Sequence, residues 1–243
     1  VGAVARYPIL SFPGLYRGTP SRYFRQGGLG GSGPALLTNA FTAACWFRLE
    51  RAGAAAQDHY LVGSRAADDG WAFSFTGTIA TGLQGGGTFT ASPIGTLTPG
   101  LHVALLSWNG ATLRARLLAL TAASTAAGGT PSSSPNRLVV GSSAAAPTTA
   151  TLAARESAVG GFIVQSAFRI DPADEVTYLE AVAGALRQDR DIPLPDGGAG
   201  TLFQDWYWDG RDWPGSGDWI DRVSGQVLPP VGVVERTAVA GAL

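Results

Sequence analysis

The chain has 243 residues, 14% of them charged, and 17 cations against 18 anions leave a formal net charge of −1. So small an imbalance gives no long-range field with which to capture nucleic acid or an anionic membrane, which excludes electrostatic recognition of either and leaves recognition by shape. No apolar run approaches the ~20 residues that span a bilayer, and a single cysteine, Cys45, rules out an intramolecular disulfide and a cysteine-based zinc site.

The opening "VGAVARYPILSFPG" lacks both a basic segment and an uninterrupted apolar run, so it does not read as a signal peptide: either the chain is kept without export or a leader has been removed. Residues 1–34 read as an extended arm. It carries Tyr7, Phe12, Tyr16, Tyr23 and Phe24 with Arg6, Arg17, Arg22 and Arg25, without helical or strand period. Such an arm lies across its own domain or across a neighbour. Its "GLGGSG" (28–33) satisfies G-x-G-x-x-G, but Pro34 and an extended segment follow where a dinucleotide site needs a helix, so this is a loop.

Seven runs of β-favouring residues bounded by turn residues then follow: 41–49, 59–64, 71–76, 101–108, 112–120, 137–142 and 160–170. They make an all-β domain. In "SWNGATLRARL" Asn109 and Gly110 predict a two-residue type I′ hairpin. In its second arm Arg114 and Arg116 share a wet face, while Leu113, Ala115 and Leu117 share a dry one that a second sheet must cover. The Ala/Ser/Thr stretch 121–135 reads as a long loop. A single helix is predicted near 172–187, with Asp171 as cap, Pro172, Asp174 and Glu175 in the first turn, and Val176, Leu179, Val182 and Leu186 at helical spacing.

The tail, 191–243, opens on a Pro/Gly segment and holds "DWYWDGRDWPGSGDWID" (205–221), with four of the seven tryptophans. Asp209 and Gly210 predict another two-residue hairpin, placing Trp206 and Trp208 on one face, Tyr207 on the other and Trp213 on the returning strand. Three readings stand. The aromatics cap an open end of a sandwich with their N–H groups satisfied locally. Alternatively Trp206, Trp208, Trp213, Asp209 and Arg211 form a recognition surface, with rings that stack on sugars and polar groups that bond hydroxyls. In the third reading Asp205, Asp209 and Asp212 hold a metal ion.

The order "AFTAACWFRLE", "YLVGSRAADDGWAFSFTG", "GLHVALLSWNGATLRARLLAL", "RLVVGSS" and "GGFIVQSAFRIDPADEVTYLEAV" resembles the laminin-G-like, or concanavalin A-like, jelly-roll superfamily over residues 35 to 187. The resemblance implies a two-sheet antiparallel jelly-roll sandwich over 35–190, with the Trp/Asp-rich extension packed on the same domain. "WIDRVSGQVLPPVG" is similar to a stretch found near the start of such domains, so the tail is expected to supply a strand that relatives take from their N-terminus, or to add a hairpin. The resemblance also implies a Ca²⁺ ion at the rim, for which Asp58, Asp68 and Asp69 are the candidate ligands; turn aspartates bonding their own backbone are the simpler account. Glucanases of this superfamily carry Glu-x-Asp-x-x-Glu on one strand. None of Glu50, Glu156, Glu175, Glu180 and Glu235 has that spacing, and neither His59 nor His102 stands beside a nucleophile motif. The expectation is therefore a non-catalytic module that binds a glycan or a protein surface without nucleic acid or membrane insertion, on an extracellular or particle surface. The alternative is a structural subunit that contacts other subunits, such as a bacteriophage capsid decoration, tail or fibre protein.

Overall fold

The computed structural model describes residues 6–11, 23–25, 40–49, 58–66, 69–76, 79–86, 89–96, 98–119, 124–127, 138–140, 157–198, 206–223, 225–231 and 234–240. In chain order the strands are β1 (Arg6–Ser11), β2 (Tyr23–Arg25), β3 (Phe41–Leu49), β4 (Asp58–Ala66), β5 (Asp69–Thr76), β6 (Ile79–Gly86), β7 (Phe89–Thr96), β8 (Gly100–Trp108), β9 (Thr112–Leu117), β10 (Ser124–Ala127), β11 (Leu138–Val140) and β12 (Ser157–Ser166). The helix α1 (Glu175–Arg187) follows, then β13 (Trp206–Asp209), β14 (Trp219–Ile220), β15 (Val227–Leu228), β16 (Pro230–Val231) and β17 (Glu235–Ala240).

These strands make an all-β sandwich of antiparallel sheets. One sheet runs β10-β9-β8-β3-β12-β1-β17, with β13 also joined to β12; the other runs β16-β2-β11-β4-β5-β6-β7. Alternation along the strands explains the layering. In β3, Phe41, Ala43, Cys45 and Phe47 enter the core between the sheets, joined there by Ala104, Leu106 and Trp108 of β8 and by Trp71 and Phe73 of β5. The intervening Ala44 and Trp46, with Val103, Leu105 and Ile163, face outward under α1 in a second core. The thiol of Cys45 is fully buried, and that burial pushes its pKa up, away from thiolate chemistry.

The arm and the tail belong to both sheets. β1 pairs with β12 through Leu10 and Ser11, and along its whole length with β17; β2 pairs with β11 and β16. The arm thus has strands where no strand period was read, and its described part lies on its own chain. The stretch expected as loop over 121–135 holds β10, paired with β9.

Two local expectations are corrected. Asn109 and Gly110 do not form a two-residue turn: Trp108 pairs with Leu113, and Asn109 Oδ1 accepts hydrogen bonds from Ala111 N (3.0 Å) and Thr112 N (2.6 Å). A type I′ turn needs positive φ at both residues, and only Gly110 (φ 91) has it. The helix starts at Glu175 rather than 172, because Asp171 closes a separate turn, accepting from Ala173 N at 2.8 Å through Oδ1 and from Asp174 N at 2.9 Å through its carbonyl.

The face of Arg114 and Arg116 is not wet either. Glu175, at 1% exposure, accepts from Arg114 Nε (2.8 Å) and Nη2 (3.0 Å) and from Arg116 Nε (3.1 Å), which docks the start of α1 on β9. That contact turns Val176 outward to 39% exposure, while Tyr178, Leu179, Val182 and Leu186 stay buried. Hydrogen bonds with Glu175 hold the Arg114 pKa above its ordinary value. Glu175→Ala is expected to cost about 2 kcal/mol in a urea titration, below the full penalty of breaking a buried pair because water reaches both guanidinium groups.

Candidate functional site

The tail is where polar chemistry concentrates, and its geometry begins with β13. Val164↔Trp206, Ile163↔Tyr207, Phe162↔Trp208 and Gly161↔Asp209 set the register of β13 on β12, so alternate side chains go to opposite layers. Trp208 enters the inter-sheet core, stacked on Phe162 at 5.0 Å, and Tyr207 enters the helix-side core, edge-on to Trp46 at 6.4 Å. The free edge of β13 is closed by side-chain and main-chain bonds: Asp221 Oδ1 accepts from Tyr207 N (2.6 Å), and Tyr207 O accepts from Arg222 N (2.9 Å). An open strand edge is a template for non-specific pairing, and this one is blocked at that residue.

The expected Asp209–Gly210 hairpin does not form. Gly210 N bonds Gly160 O (2.7 Å) and Asp212 N bonds Asp209 O (3.0 Å), which turns the chain into the loop 213–218 instead of back along β13. The returning strand is β14, and it pairs with β15 through Trp219↔Leu228 and Ile220↔Val227. Trp213 and Trp219 pack beneath this loop. Their indole N–H groups donate to Gly217 O and Asp209 O, each at 2.9 Å.

Around this frame lies a network of ions. Asp209, at 0% exposure, receives Arg211 Nε (2.8 Å to Oδ2), Arg211 Nη2 (2.5 Å) and Arg211 N (3.0 Å to Oδ1). Arg211 Nη1 reaches Asp189 at 3.0 Å, beyond the end of α1. Arg222 holds Asp212 with both Nε and Nη2, donates to Asp191 (2.7 Å) and the Tyr207 hydroxyl (3.1 Å), and sits 4.8 Å from the Tyr207 ring centroid. The Tyr207 hydroxyl also accepts from Ile192 N at 2.8 Å. Burial works against the charge on Arg211, but the hydrogen bonds and charge of Asp209 outweigh it and raise its pKa; hydrogen bonding to Asp212 raises that of Arg222. Burial, with the charge of Asp209, pushes the Tyr207 hydroxyl up to about 12. Arg211, Arg222 and Tyr207 thus hold their protons more firmly than the free side chains do.

The residues read from the sequence as site candidates are distributed as follows. Trp208 and Trp213, at 1% exposure, are core side chains that cannot stack on a sugar; Asp209 is enclosed, and Arg211 is bonded to Asp209 and Asp189. The side chain of Trp206, and Asp205, lie outside the described residues. Asp58 pairs with Thr76 at one end of the β4–β5 hairpin and Asp69 with Ala66 at the other, so ~25 Å of strand separates them and they cannot share an ion. Asp68, and the side chains of Asp58, Asp69 and His59, are not among the described residues. Asp209 and Asp212 are engaged by arginines, and among the described residues no group of three or more His, Cys, Asp or Glu side chains is placed to hold a metal. Of the tail candidates, Asp209 and Asp212 are thus committed to arginines rather than set out as Ca²⁺ ligands. His102 donates through Nε2 to Thr98 O at 2.8 Å; burial lowers its pKa, with the Thr98 bond opposing. A cleft of about 180 Å³ beside it is lined by Leu101, Val103, Leu118, Ala119 and Arg187.

What the sequence did not single out is the surface above the buried tryptophans. Pro214, Gly215, Ser216, Gly217 and Asp218 are all exposed, and next to them Ile220 (56%) and Val227 (44%) stand side by side as a cross-strand pair. The cue was present in "DWID" and "GQVLPP": an aliphatic residue beside a buried one in each arm of a short ribbon.

The chain matches no protein-family model and no curated protein. Among solved structures it is similar to the botulinum neurotoxin serotype C1 binding domain, with 9% identity and a TM-score of 0.48 over 72% of this chain and 52% of that one. It is similar also to the binding domain of botulinum neurotoxin DC in complex with SialylT, with 7% identity and a TM-score of 0.48 over 72% of this chain and 46% of that one. The chain thus spans about half the length of those proteins.

Proposed function

We propose that the chain is a non-catalytic recognition module that meets a protein partner through the loop 214–218 and the β14–β15 ribbon, on an extracellular or particle surface. The observation that carries this reading is the Ile220–Val227 pair. Of three exposed large hydrophobic residues among those described, two are cross-strand neighbours, on a ribbon whose adjacent pair, Trp219 and Leu228, is fully buried. Single exposed aliphatics are ordinary, whereas adjacent ones on a rigid support are suited to form the centre of a small interface. Aliphatic groups fit an apolar protein patch; sugar rings are bound by aromatic planes, and the described tail rings are buried.

A displayed random-peptide library panned against the folded chain tests this. Enriched binders are expected to lose about 100-fold or more in affinity for an Ile220→Arg/Val227→Arg double variant whose unfolding midpoint is unchanged, since two buried aliphatics are lost. Binders that hold the double variant as tightly as wild type would refute the docking surface. Ordered oligomers of the purified chain in mass photometry, with no enriched peptide, would favour a structural subunit of a particle instead.

A further inference from the structure

The turn between β8 and β9 carries chemistry that recognition does not use. Asn109 is exposed at its tip, and its side-chain carbonyl oxygen receives two backbone N–H groups, from Ala111 at 3.0 Å and Thr112 at 2.6 Å. The next residue is Gly110, with φ 91 and no side chain to stand over its own nitrogen. An asparagine amide followed by an unhindered backbone nitrogen is an electrophile beside a nucleophile. What this turn adds is a pair of donors at the oxygen where negative charge develops.

We propose that this turn is a self-modifying site, at which Asn109 is converted to aspartate and isoaspartate faster in the folded protein than in the unfolded chain. The backbone nitrogen of Gly110 gives its proton to solvent base and forms a bond to Asn109 Cγ, and the carbonyl electron pair moves onto Oδ1. As that tetrahedral species collapses, the Cγ–Nδ2 bond breaks, the departing –NH2 group takes a proton from water and leaves as ammonia, and a five-membered imide remains. Water then adds to one of the two imide carbonyls and the ring opens. One mode of opening gives aspartate and the other gives isoaspartate, whose backbone runs through the side-chain carbon. The net reaction consumes one water and releases one ammonia, with no oxidant or reductant. The N–H groups of Ala111 and Thr112 bind the oxyanion more strongly than the neutral amide, because a hydrogen bond to a charged acceptor is the stronger one, and they are already in place.

The consequence is directional. Each conversion adds one negative charge to a chain whose formal net charge is −1. The isoaspartate product also lengthens the backbone inside a turn whose ends are fixed by the Trp108↔Leu113 pairing. The other asparagines, Asn39 and Asn136, precede Ala40 and Arg137, whose side chains crowd the attacking nitrogen, so they serve as internal references.

The test incubates the full chain at neutral and mildly alkaline pH, folded and in parallel in urea, and follows each asparagine by peptide mapping with mass spectrometry and enzymatic isoaspartate labelling. The expected result is conversion at Asn109 about tenfold faster folded than unfolded, a modest factor because the donors lie at an exposed site where water competes. It should rise with pH and exceed conversion at Asn39 and Asn136. An Asn109→Asp variant should co-elute with the aspartate product on ion exchange. A folded rate equal to or below the unfolded rate overturns the proposal.

Discussion

Asp209→Ala is expected to lower the free energy of unfolding by about 3–5 kcal/mol in a urea titration, the range for removing one partner of a buried ion pair. The carboxylate is 1% exposed and takes both Nε and Nη2 of Arg211, so the substitution leaves that guanidinium with the exposed Asp189 as its remaining carboxylate partner. Arg211 N and the Tyr207 hydroxyl lose a neighbour as well. The bond from Trp219 Nε1 goes to the main-chain carbonyl of Asp209 and survives. The effect is therefore electrostatic rather than a collapse of the aromatic layer, and a second variant separates the two. In Asp209→Ala/Arg211→Met no buried charge is left unpaired, and most of the loss is expected to return. A single variant within about 1 kcal/mol of wild type, or a double variant worse than the single, would show that the network is not what holds the tail.

The contrast between what was legible in the sequence and what was not follows the range of the interactions. The strands 41–49 and 71–76 could be read because alternation and turn residues are local, and the observed strands there are Phe41–Leu49 and Asp69–Thr76. β6 and β7 are not legible, since "IATGLQGG" and "FTASPIGT" offer little apolar alternation; they are strands because β5 pairs with β6 and β6 with β7. The start of α1 departs from the helical spacing for a related reason. Helical spacing selects Val176, but burial selects Glu175, whose partners Arg114 and Arg116 lie 61 and 59 residues earlier. For the tail, composition announced aromatic and ionic chemistry without saying which face it would occupy. Pairing of Trp208 with Phe162 decides that, turning Trp208 inward and leaving Ile220 and Val227 as exposed aliphatics.

The same pairing sets the other large expected effect, at Gly161. Between Val159 and Gly161 the register of β12 on β3 slips by one residue, and the inserted Gly160 lets both Val159 and Phe162 face the inter-sheet core. The two glycines make room for the Trp46 indole to lie against the strand. A Cβ on Gly161 would overlap Trp46 Cζ2, stand 2.7 Å from Trp46 Cε2 and 2.6 Å from the carbonyl oxygen of Trp208, which is main chain and cannot rotate away. Gly161→Ala is accordingly expected to destabilise by about 3 kcal/mol, at the upper end for overpacking. The added strain is directed at β13, so exposure of Trp208 to a fluorescence quencher should rise with it. Replacing Trp46 by Phe in that background relieves the ring contact but not the carbonyl contact, so only part of the stability should return. Gly184→Ala is the control of opposite sign: it sits in α1 with nothing within 4 Å of its Cβ position, and it should stabilise by about 0.5–1 kcal/mol. If Gly161→Ala proved as harmless as Gly184→Ala, β13 would not be seated on β12 in the way that fixes the ribbon above it.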